Sequence, residues 1–598
     1  MSILQRLFYH LAIVHSWYTA WRERGNPLHT ARWSYFHELA SILTTRLEGT
    51  QILLAKKPLL HGLLTRLVAV KPTKTQRELG HVLLVGKHRS GKGLAIETNL
   101  LTWPHSVIVN DVKGELWRRT AGFREKGLGG KALLFDPRGN GCRFDPLEGK
   151  TTESELRSAA TTLLYRPQEG QNASFIERAT TMLVAIFQAA VLEGERPLPF
   201  TYKMLNEGLY AAATILEIIS QKHKVYPNLA KQFLDIEYAK ADFDSKFLQD
   251  CWSTLTARMR QILTRESVKC FTGSDFTAKD IITSQIPLSV YFFWPEEHVL
   301  ALAPLIRLVW DALINGMLGF YDSPKVQGKG CQRVLCVLDE IFRTGLPKLP
   351  EYTTTVSGRN ISFLISAQSI AQMDSVFHSR DTADVFRGQM DATIFYRTAA
   401  ADIATASYIE QACGYRSGFA RSQTAHAEST STGESEQRVA LMPAHETKHI
   451  GAEGIIGLVT GLRPFREKRL NRFEFPELIE RGNIPPPTFP ALPDLALPSS
   501  AKTPFSLSTP ASGTEGNSQD RRNNHAANGN TLWQRNRKLP NGYIHGVVTP
   551  APLGGSARPY NSFSEGHHTV PQPRRFPGVL SHLRAFARHF HRRLRVCF

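Results

Sequence analysis

Residues 81–93 read His-Val-Leu-Leu-Val-Gly-Lys-His-Arg-Ser-Gly-Lys-Gly, and a helical run begins at Leu94. The apolar residues 82–85 predict a short buried strand. The spacing of glycine and lysine after it is that of a phosphate-binding loop, in which backbone N–H groups and the following helix N-terminus cradle phosphate. Lys92 would neutralise the β- and γ-phosphates, whereas Gly93 stands where a Ser or Thr usually supplies a hydroxyl ligand for Mg²⁺. The predicted nucleotide-binding residues are Gly86, Lys87, His88, Arg89, Ser90, Gly91, Lys92 and Gly93.

Further short apolar runs follow along the chain, rich in Val, Ile, Leu and Phe. They are 107–109, 133–135, 290–293, 334–338, 363–367 and 393–396. Runs this short that are apolar on both faces predict parallel strands buried in an α/β sheet. Ligands of such sheets bind beyond the carboxyl ends of the strands, so the residues just after each run are candidates for chemistry.

Asp339 and Glu340 follow the run 334–338 and have the form of a Walker B pair. Asp339 would hold Mg²⁺ through water, and Glu340 would orient the attacking water. Gln368 follows the next run and would sense the γ-phosphate through a hydrogen bond to that water. The alternatives are a helix-capping acidic pair for the first two residues and a buried amide at the sheet edge for Gln368.

Asp111 and Glu115 belong to the segment Asp-Val-Lys-Gly-Glu, which follows the run 107–109. If the carboxyl ends of the strands meet at one edge, these two carboxylates add to the same acidic rim. They are secondary candidates for the site. The alternative interpretation is a turn with a carboxylate at the start of a helix.

The apolar periodicity and composition divide the chain into regions. Helical spacing with few turn signals is found over 153–165, 173–194, 201–220 and 242–267. It predicts an all-α domain, 151–268, inserted into an α/β domain that is split over 76–150 and 269–481, after an N-terminal region 1–75. Residues 482–598 hold 15 of the 34 prolines, with 14 Lys and Arg against 4 Asp and Glu, and predict a Pro-rich, basic, disordered tail.

Two further segments have a distinct composition. Residues 422–436 are rich in Ser, Thr and Glu and predict a surface loop. Residues 579–598 lack Pro and Gly and carry an apolar stripe beside a basic face at helical spacing. Such an amphipathic helix can hold DNA phosphates, which we favour slightly, or lie in an anionic membrane interface. The third alternative for 579–598 is a disordered basic tail.

The whole chain has 598 residues, with 72 Lys and Arg against 53 Asp and Glu and a net charge of +19. This basic balance predicts an anionic partner, either nucleic acid or a membrane surface. The 42% hydrophobic content supports a large core and excludes a collagen, a coiled coil or a wholly disordered chain. Seven scattered cysteines make neither a disulfide framework nor a paired zinc motif. Charged residues interrupt the apolar runs, so we expect no signal peptide and no transmembrane helix.

Taken together, these segments resemble the type IV coupling proteins, the TraG/TraD family of conjugation and type IV secretion ATPases. The resemblance covers roughly 27–480, and a Gly after the loop lysine is common in that family. The segments that carry it are 81–93, 101–107, 111–115, 135–137, 143–147, 274–276, 290–295, 305–307, 337–340, 368–369, 395–398 and 422–436. The chain departs from the family at Val112, where a proline is usual, and we expect the usual N-terminal transmembrane pair to be missing.

The resemblance implies a RecA-like P-loop motor domain, with ATP and Mg²⁺ as cofactors. It also implies a ring-shaped homo-hexamer that hydrolyses ATP between subunits and passes DNA, single-stranded or double-stranded, through a basic channel. An arginine of the neighbouring subunit is then expected at each site. Arg359 is our first candidate for it, and Arg387 and Arg397 are the alternatives; each could also be an ordinary ion-paired arginine.

The function we expect is that of an ATP-driven translocase that recruits a single-stranded DNA–relaxase complex and pumps it to a type IV secretion channel. Its catalytic residues would be Lys92, Asp339, Glu340, Gln368 and Arg359. We expect a cytoplasmic protein that is peripheral at the inner face of the cell membrane. The alternatives are a coupling ATPase for protein effectors, a non-hydrolysing scaffold that binds ATP or DNA, and a structural DNA-binding protein that acts through its basic tail.

Overall fold

The computed structural model of the protein describes residues 13–14, 16–18, 29–59, 64–72, 78–166, 173–426, 429–489 and 491–494. All of them fall within the first of two compact units, Met1–Lys502. The second unit, Thr503–Phe598, lies outside the described residues. The helix expected over 579–598 and the disorder expected along most of the tail therefore stay predictions.

Most of the strands belong to a single large sheet. In chain order the strands are β1 (Leu43–Thr44), β2 (Ile52–Leu59), β3 (Leu64–Val70), β4 (His81–Val85), β5 (Ser106–Asp111), β6 (Lys131–Asp136), β7 (Asn140–Gly141), β8 (Leu288–Phe293), β9 (Val334–Leu338), β10 (Ile361–Ala367), β11 (Met390–Tyr396), β12 (Tyr415–His426), β13 (Ser429–Ala440), β14 (Gly454–Val459) and β15 (Phe465–Arg469). The large sheet has 13 strands in the order β1-β3-β2-β15-β14-β11-β4-β10-β9-β5-β8-β6-β7. From β11 to β6 in that order, all neighbouring strands are parallel.

This parallel part of the sheet contains every run that the sequence predicts to be a buried strand. Its strands are apolar on both faces because each face packs into its own core. In β4, Val82 and Leu84 pack into one core, and Leu83 and Val85 pack into the other. Because these strands are parallel, their carboxyl ends all lie along one border of the sheet, which we call the carboxyl edge.

An antiparallel extension continues the sheet beyond β11 through β14, β15, β2, β3 and β1. The sequence did not predict it. Two ion pairs tie its segments together, Lys57 with Glu467 and Lys56 with Glu474. The described part of the N-terminal region 1–75 thus contributes three strands to the same sheet as the α/β domain.

Helices cover both faces of the sheet and form the segment between β7 and β8. The helices are α1 (Lys92–Leu100), α2 (Glu115–Gly122), α3 (Glu153–Leu164), α4 (Ala173–Leu192), α5 (Pro197–Glu207), α6 (Leu209–His223), α7 (Leu229–Leu234), α8 (Lys246–Arg260), α9 (Ala278–Thr283), α10 (Ala303–Tyr321), α11 (Leu349–Thr355), α12 (Ile370–Val376), α13 (Arg380–Gly388), α14 (Ile403–Cys413) and α15 (Pro476–Gly482). Short 3-10 segments lie at Glu38–Ser41, Tyr238–Lys240, Ser267–Phe271, Ile341–Arg343, Ala444–His449 and Arg472–Glu474, and a π-helical turn lies at Phe123–Gly127.

Helices α3 to α8 fill the segment that the sequence assigns to an inserted all-α domain. Helix α4 lies at its centre, and Ala179, Met182 and Phe187 on its predicted apolar face are fully buried. The single helix predicted over 201–220 is in fact two helices, α5 and α6. Gly208 separates them because its φ of 88° is incompatible with a continuous helix.

The surface loop predicted over 422–436 is wrong, because this segment lies within the hairpin of β12 and β13. The two strands pair from Tyr415 opposite Ala440 to His426 opposite Ser429. Backbone hydrogen bonds between antiparallel strands do not require apolar side chains, so a polar segment can form such a ribbon.

The boundary predicted for the disordered tail at 482 is too early. The ring of Phe489 packs on Trp117, with ring centroids 5.8 Å apart. The N–H of Leu492 donates to the carbonyl oxygen of Gly139 at 2.9 Å, and Asp494 pairs with Lys269 at 2.5 Å. Residues 483–489 and 491–494 therefore lie against the α/β domain.

In the part of the chain that the structure describes, two helices are long and apolar enough to cross a membrane. They are α4 and α10, and they qualify by length and composition only. More than half of each hydrophobic window is buried within the protein, 56% in α4 and 61% in α10. Both helices thus serve as core helices in this fold.

Candidate nucleotide-binding site

The predicted phosphate-binding loop joins β4 to α1 at the carboxyl edge. Gly91, the residue before the helix, has a φ of 107°, which a residue with a Cβ rarely adopts. A Cβ on Gly86 would lie only 2.6 Å from the Cβ of Tyr396. Both glycines are therefore needed for the tight turn that the loop makes.

Lys92 is buried at the start of α1, and its ammonium rests on the loop itself. Its Nζ donates to the carbonyl oxygens of Gly86 and Lys87, at 3.1 Å for the latter. Burial lowers the pKa of Lys92 to about 8, against the opposing effect of the Asp339 and Glu340 carboxylates. The ammonium group is thus a desolvated cation, and contact with a phosphate anion would stabilise it.

Asp339 lies directly after β9 and is held from both neighbouring strands. Its Oδ1 accepts a hydrogen bond from Ser366 Oγ of β10 at 2.6 Å. Its backbone oxygen accepts one from Asn110 Nδ2 of β5 at 2.9 Å. Burial raises the pKa of Asp339, while the Ser366 hydrogen bond and the charge of Lys92 act to lower it. The strand order therefore fixes this carboxylate opposite the loop lysine.

Glu340 has a φ of 50°, in the left-handed region that only a few non-glycine residues occupy. Its N–H donates to Ser366 Oγ at 3.1 Å, which secures this conformation. Its carboxylate lies between two cations, Lys113 at 3.0 Å and Arg343 at 3.4 Å. Backbone strain of this kind is typical of residues that a protein holds for a function.

Asp111 and Glu115 reach the same region. Asp111 is buried at the end of β5, and its Oδ2 accepts the N–H of Trp117 in α2 at 2.8 Å. Burial and the nearby Asp339 charge together raise the pKa of Asp111 to about 6, against the opposing effect of its backbone hydrogen bonds. Asp111 thus accepts a hydrogen bond from the first turn of α2, as in the alternative interpretation of a carboxylate at a helix start. It also lines the nucleotide cleft. Glu115 lies 3.7 Å from Arg119 on α2.

All these groups meet in one cleft of about 460 Å³ at the carboxyl edge. It is lined by His88, Arg89, Ser90, Gly91, Lys92, Gly93, Leu94, Glu97, Asp111, Lys113, Glu115, Leu116, Arg119, Asp339, Glu340 and Arg469. The cleft therefore brings together the loop lysine, the Walker B pair and both secondary acidic candidates.

The cleft residues fit a nucleoside triphosphate with Mg²⁺. The hydroxyl of Ser90 is buried and has no hydrogen-bond partner among the described residues, as expected of a group that awaits a ligand. Within the described part of the chain, no group of three or more His, Cys, Asp or Glu could hold a metal ion. One carboxylate, Asp339, together with phosphate oxygens and water, is a donor set that Mg²⁺ accepts.

Gln368 follows β10, between β4 and β9, and so lies at the carboxyl edge as predicted. Its N–H donates to Gln372 Oε1 at 3.0 Å. It is not among the residues that line the cleft. Its role as a γ-phosphate sensor stays a prediction.

Arg359 lies before β10, at the border of the sheet opposite the cleft. Its Nε is 2.9 Å from both carboxylate oxygens of Asp322. It therefore cannot reach the nucleotide cleft of its own subunit. A contact with the site of a neighbouring subunit would need this ion pair to open, and the role stays a prediction.

The two alternatives to Arg359 differ in their surroundings. Arg387 is buried on α13 and pairs with Asp374 at 2.8 Å and with Asp384. Removing one partner of a buried ion pair leaves a charge unpaired and is strongly destabilising, so its two aspartates account for Arg387 without a contact to nucleotide. Arg397 follows β11 and lies at the carboxyl edge, beside the loop strand β4.

Sequence reasoning missed Ser366, Lys113 and Arg469. Lys113 belongs to the segment Asp-Val-Lys-Gly-Glu, so its position among acidic candidates was a usable signal. Ser366 is a hydroxyl residue near the end of the apolar run 363–367, and that position was a second usable signal. Nothing in the local sequence around Arg469 indicates that it reaches the loop.

The fold and the cleft define a P-loop nucleotide-binding protein built on a RecA-like α/β sheet. The family described as "Type IV secretory system Conjugative DNA transfer" matches residues 49–491, so the chain belongs to that family. The resemblance to type IV coupling proteins and the predicted fold class are thereby confirmed.

Individual relatives agree with this assignment. The chain is 26% identical over 440 residues to Protein VirD4 of Rhizobium radiobacter, covering 69% of this chain and 60% of that protein. It is 27% identical over 320 residues to the conjugal transfer protein TraG of Escherichia coli, covering 49% of each. The chain thus matches about half to three-fifths of the length of these relatives.

Solved structures share the fold. Plasmid coupling protein TrwB in complex with a non-hydrolysable ATP analogue, ADPNP, superposes with a TM-score of 0.52 at 15% identity, over 74% of this chain and 94% of that one. The conjugative coupling protein TrwBdeltaN70 gives 0.50 at 14% identity, over 65% and 84%. At this identity the likeness shows the fold alone.

Proposed function

We propose that this chain is an ATP-driven motor of conjugative DNA transfer, which moves a single-stranded DNA–relaxase complex toward a type IV secretion channel. The observation that carries the proposal is the meeting of Lys92, Asp339 and Glu340 in one cleft at the carboxyl edge. The family to which the chain belongs supports DNA as the cargo.

Each of these residues has a part in hydrolysis. Lys92 binds the β- and γ-phosphates through its ammonium group. In the structure, this group donates to the carbonyl oxygens of Gly86 and Lys87. Asp339 would hold Mg²⁺, and Glu340 would orient the attacking water. When bound, Mg²⁺ offsets the negative charge of the phosphates. Lys113 and Arg343 fix the carboxylate of Glu340.

The assembled form that we propose is a homo-hexamer at the inner face of the cell membrane, beside the secretion channel and the relaxosome. The resemblance to coupling proteins supports it. In such a ring, an arginine of one subunit completes the site of the next. ATP turnover per subunit should then rise with protein concentration.

The test is ATP turnover by the purified full-length chain, titrated with single-stranded DNA, with double-stranded DNA and without DNA. We expect DNA to stimulate turnover, and Lys92→Ala to abolish it in all three conditions. ATP binding without turnover in any condition would contradict the proposal and favour a non-hydrolysing scaffold.

Cargo is tested separately, by capture of candidate partners on the immobilised protein. We expect a relaxase bound to single-stranded DNA to be retained. Retention of secreted effector proteins in place of the relaxase would contradict the proposed cargo but leave the motor in place.

A further inference from the structure

Arg469 is brought to the nucleotide cleft by the antiparallel extension of the sheet. Strand β14 pairs with β11 so that Ile455 lies opposite Tyr396, and β15 pairs with β14 so that Lys468 lies opposite Gly454. The end of β15 therefore returns to the carboxyl edge. There the N–H of Arg469 donates to the carbonyl oxygen of Glu453 at 2.7 Å, which fixes the backbone at this point.

The side chain of Arg469 lies directly against the phosphate-binding loop. Its Cδ and Cζ are 2.8 and 3.2 Å from the place that a Cβ on Gly91 would occupy. The absence of a side chain at Gly91 is thus what allows the guanidinium to approach the loop. Arg469 also lines the cleft that holds Lys92 and Asp339.

Arg469 forms no ion pair with any carboxylate among the described residues. The hydrogen bond and charge of Lys468, with a smaller contribution from Arg469, lower the pKa of Glu453, so Arg469 lies near that carboxylate without pairing with it. The acidic residues around the extension are each paired with another cation: Glu453 with Lys468 at 3.2 Å, Glu467 with Lys57, and Glu474 with Lys56. The Nε of Arg469 is buried and has no hydrogen-bond partner in that same part of the chain. A partly desolvated guanidinium with a free N–H is costly unless an anion meets it.

We propose that Arg469 is a nucleotide-binding residue of its own subunit, and that its guanidinium contacts the α- or β-phosphate, the part common to ADP and ATP. A guanidinium binds phosphate oxygens with two parallel N–H donors, which suits this place beside the loop. The inference rests on the proposed function, since it takes the cleft to be the ATP site.

The position of Arg469 explains why it would bind the shared phosphates and not the γ-phosphate. In the sheet, β9 and β15 lie on opposite sides of β4. Asp339 and Glu340, which act where the terminal phosphate is cleaved, approach the loop from the β9 side. Arg469 approaches from the β15 side and contacts Gly91, where loop amides cradle the α- and β-phosphates. Its contribution is therefore made equally in the ground state and the transition state.

The test is the dissociation constant for MgADP, measured by calorimetry on the full-length protein and on Arg469→Ala, Arg469→Lys and Arg466→Ala. Arg466 is the matched control, because it is exposed on the same strand and does not line the cleft. We expect Arg469→Ala to weaken MgADP binding by about tenfold or more, Arg469→Lys to restore part of the affinity, and Arg466→Ala to bind normally. KM for ATP should rise by a similar factor, with kcat within about twofold.

Thermal unfolding separates this role from a structural one. Because Arg469 forms no ion pair with any described residue, Arg469→Ala should unfold near the wild-type temperature without nucleotide, and should gain less stability from MgADP. Unchanged MgADP affinity in Arg469→Ala, or a loss of kcat with normal MgADP affinity, would overturn the inference and leave the proposed motor standing. Wild-type protein that fails to bind MgADP would instead overturn the proposed function.

Discussion

Lys113 Nζ donates a hydrogen bond to Glu340 Oε1 at 3.0 Å, and this ion pair links the segment after β5 to the end of β9. Arg343 approaches the other carboxylate oxygen at 3.4 Å and is itself paired with Glu296 at 2.6 Å. Burial alone would lower the pKa of Lys113, but the hydrogen bond and charge of Glu340 raise it overall. Lys113 is therefore protonated at neutral pH and holds Glu340 in a fixed orientation.

Replacing Lys113 by methionine should remove the cation that orients Glu340 while keeping a side chain of similar length. We expect kcat for ATP to fall about tenfold and the MgADP dissociation constant to stay within about twofold, because only the water-orienting group is affected. Arg343→Met is the matched comparison and should have a smaller effect, since its contact with Glu340 is longer. A higher kcat in Lys113→Met would show that the ion pair holds Glu340 away from the position in which it orients the attacking water, contrary to this account.

Lys92→Ala and Glu340→Gln should separate nucleotide binding from hydrolysis. Lys92→Ala removes the charge that meets the phosphates, so both MgATP binding and turnover should be lost while the fold is kept. Glu340→Gln removes only the carboxylate, so MgATP should bind with near-normal affinity and not be hydrolysed. Calorimetry measures binding, and steady-state assays measure turnover. Wild-type-like turnover in Lys92→Ala would contradict the assignment of residues 86–93 as the phosphate-binding loop.

The two glycines that flank Lys92 should respond in opposite ways to alanine. In Gly91→Ala the alanine must adopt a positive φ, and its Cβ clashes with the side chain of Arg469. The free energy of unfolding should therefore fall by about 1–3 kcal/mol. A Cβ on Gly93 meets no atom within 4 Å, so Gly93→Ala should be neutral or raise stability by up to about 1 kcal/mol through its helix propensity. Denaturant unfolding compares the pair, and equal losses would contradict the loop geometry.

Nucleotide affinity should depend on pH through Lys92. Because burial lowers the pKa of Lys92 to about 8, the free protein loses this charge as pH rises through that value. Bound phosphate favours the charged form, so binding takes up a proton above pH 8 and MgADP affinity should fall, by up to about tenfold per pH unit. Lys92→Arg keeps its charge over this range and should bind with constant affinity from pH 7 to 10. A wild-type dissociation constant that is flat from pH 7 to 10 would contradict the assigned role.

The parallel half of the sheet and its loop were predictable because each signal is local. Burial on both faces makes β4, β9 and β10 predominantly apolar, and the glycine spacing of the loop follows from the turn it must make. Asp339 and Glu340 could be assigned because they directly follow such a strand. The same reasoning placed Asp111 at the edge, although its hydrogen bond to Trp117 appears only in the folded chain.

The antiparallel half could not be predicted, because its strands carry no comparable pattern. Strand β15 reads Phe-Arg-Glu-Lys-Arg, and two of its charged side chains find partners elsewhere: Glu467 pairs with Lys57 on β2, and Lys468 pairs with Glu453 just before β14. The hairpin of β12 and β13 is held by backbone pairing and is polar for most of its length. The contact of Arg469 with Gly91 joins residues far apart in the chain, so it follows from the strand order and from no local signal.

The central claim is that ATP hydrolysis in this cleft moves DNA, and it is tested most directly by displacement of streptavidin from biotinylated single-stranded DNA. The purified full-length protein would be mixed with the blocked DNA and ATP, beside Glu340→Gln as the binding-competent control. The account predicts ATP-dependent displacement by the wild type and none by Glu340→Gln. Displacement by Glu340→Gln at the wild-type rate, or ATP hydrolysis by the wild type without any displacement, would contradict it.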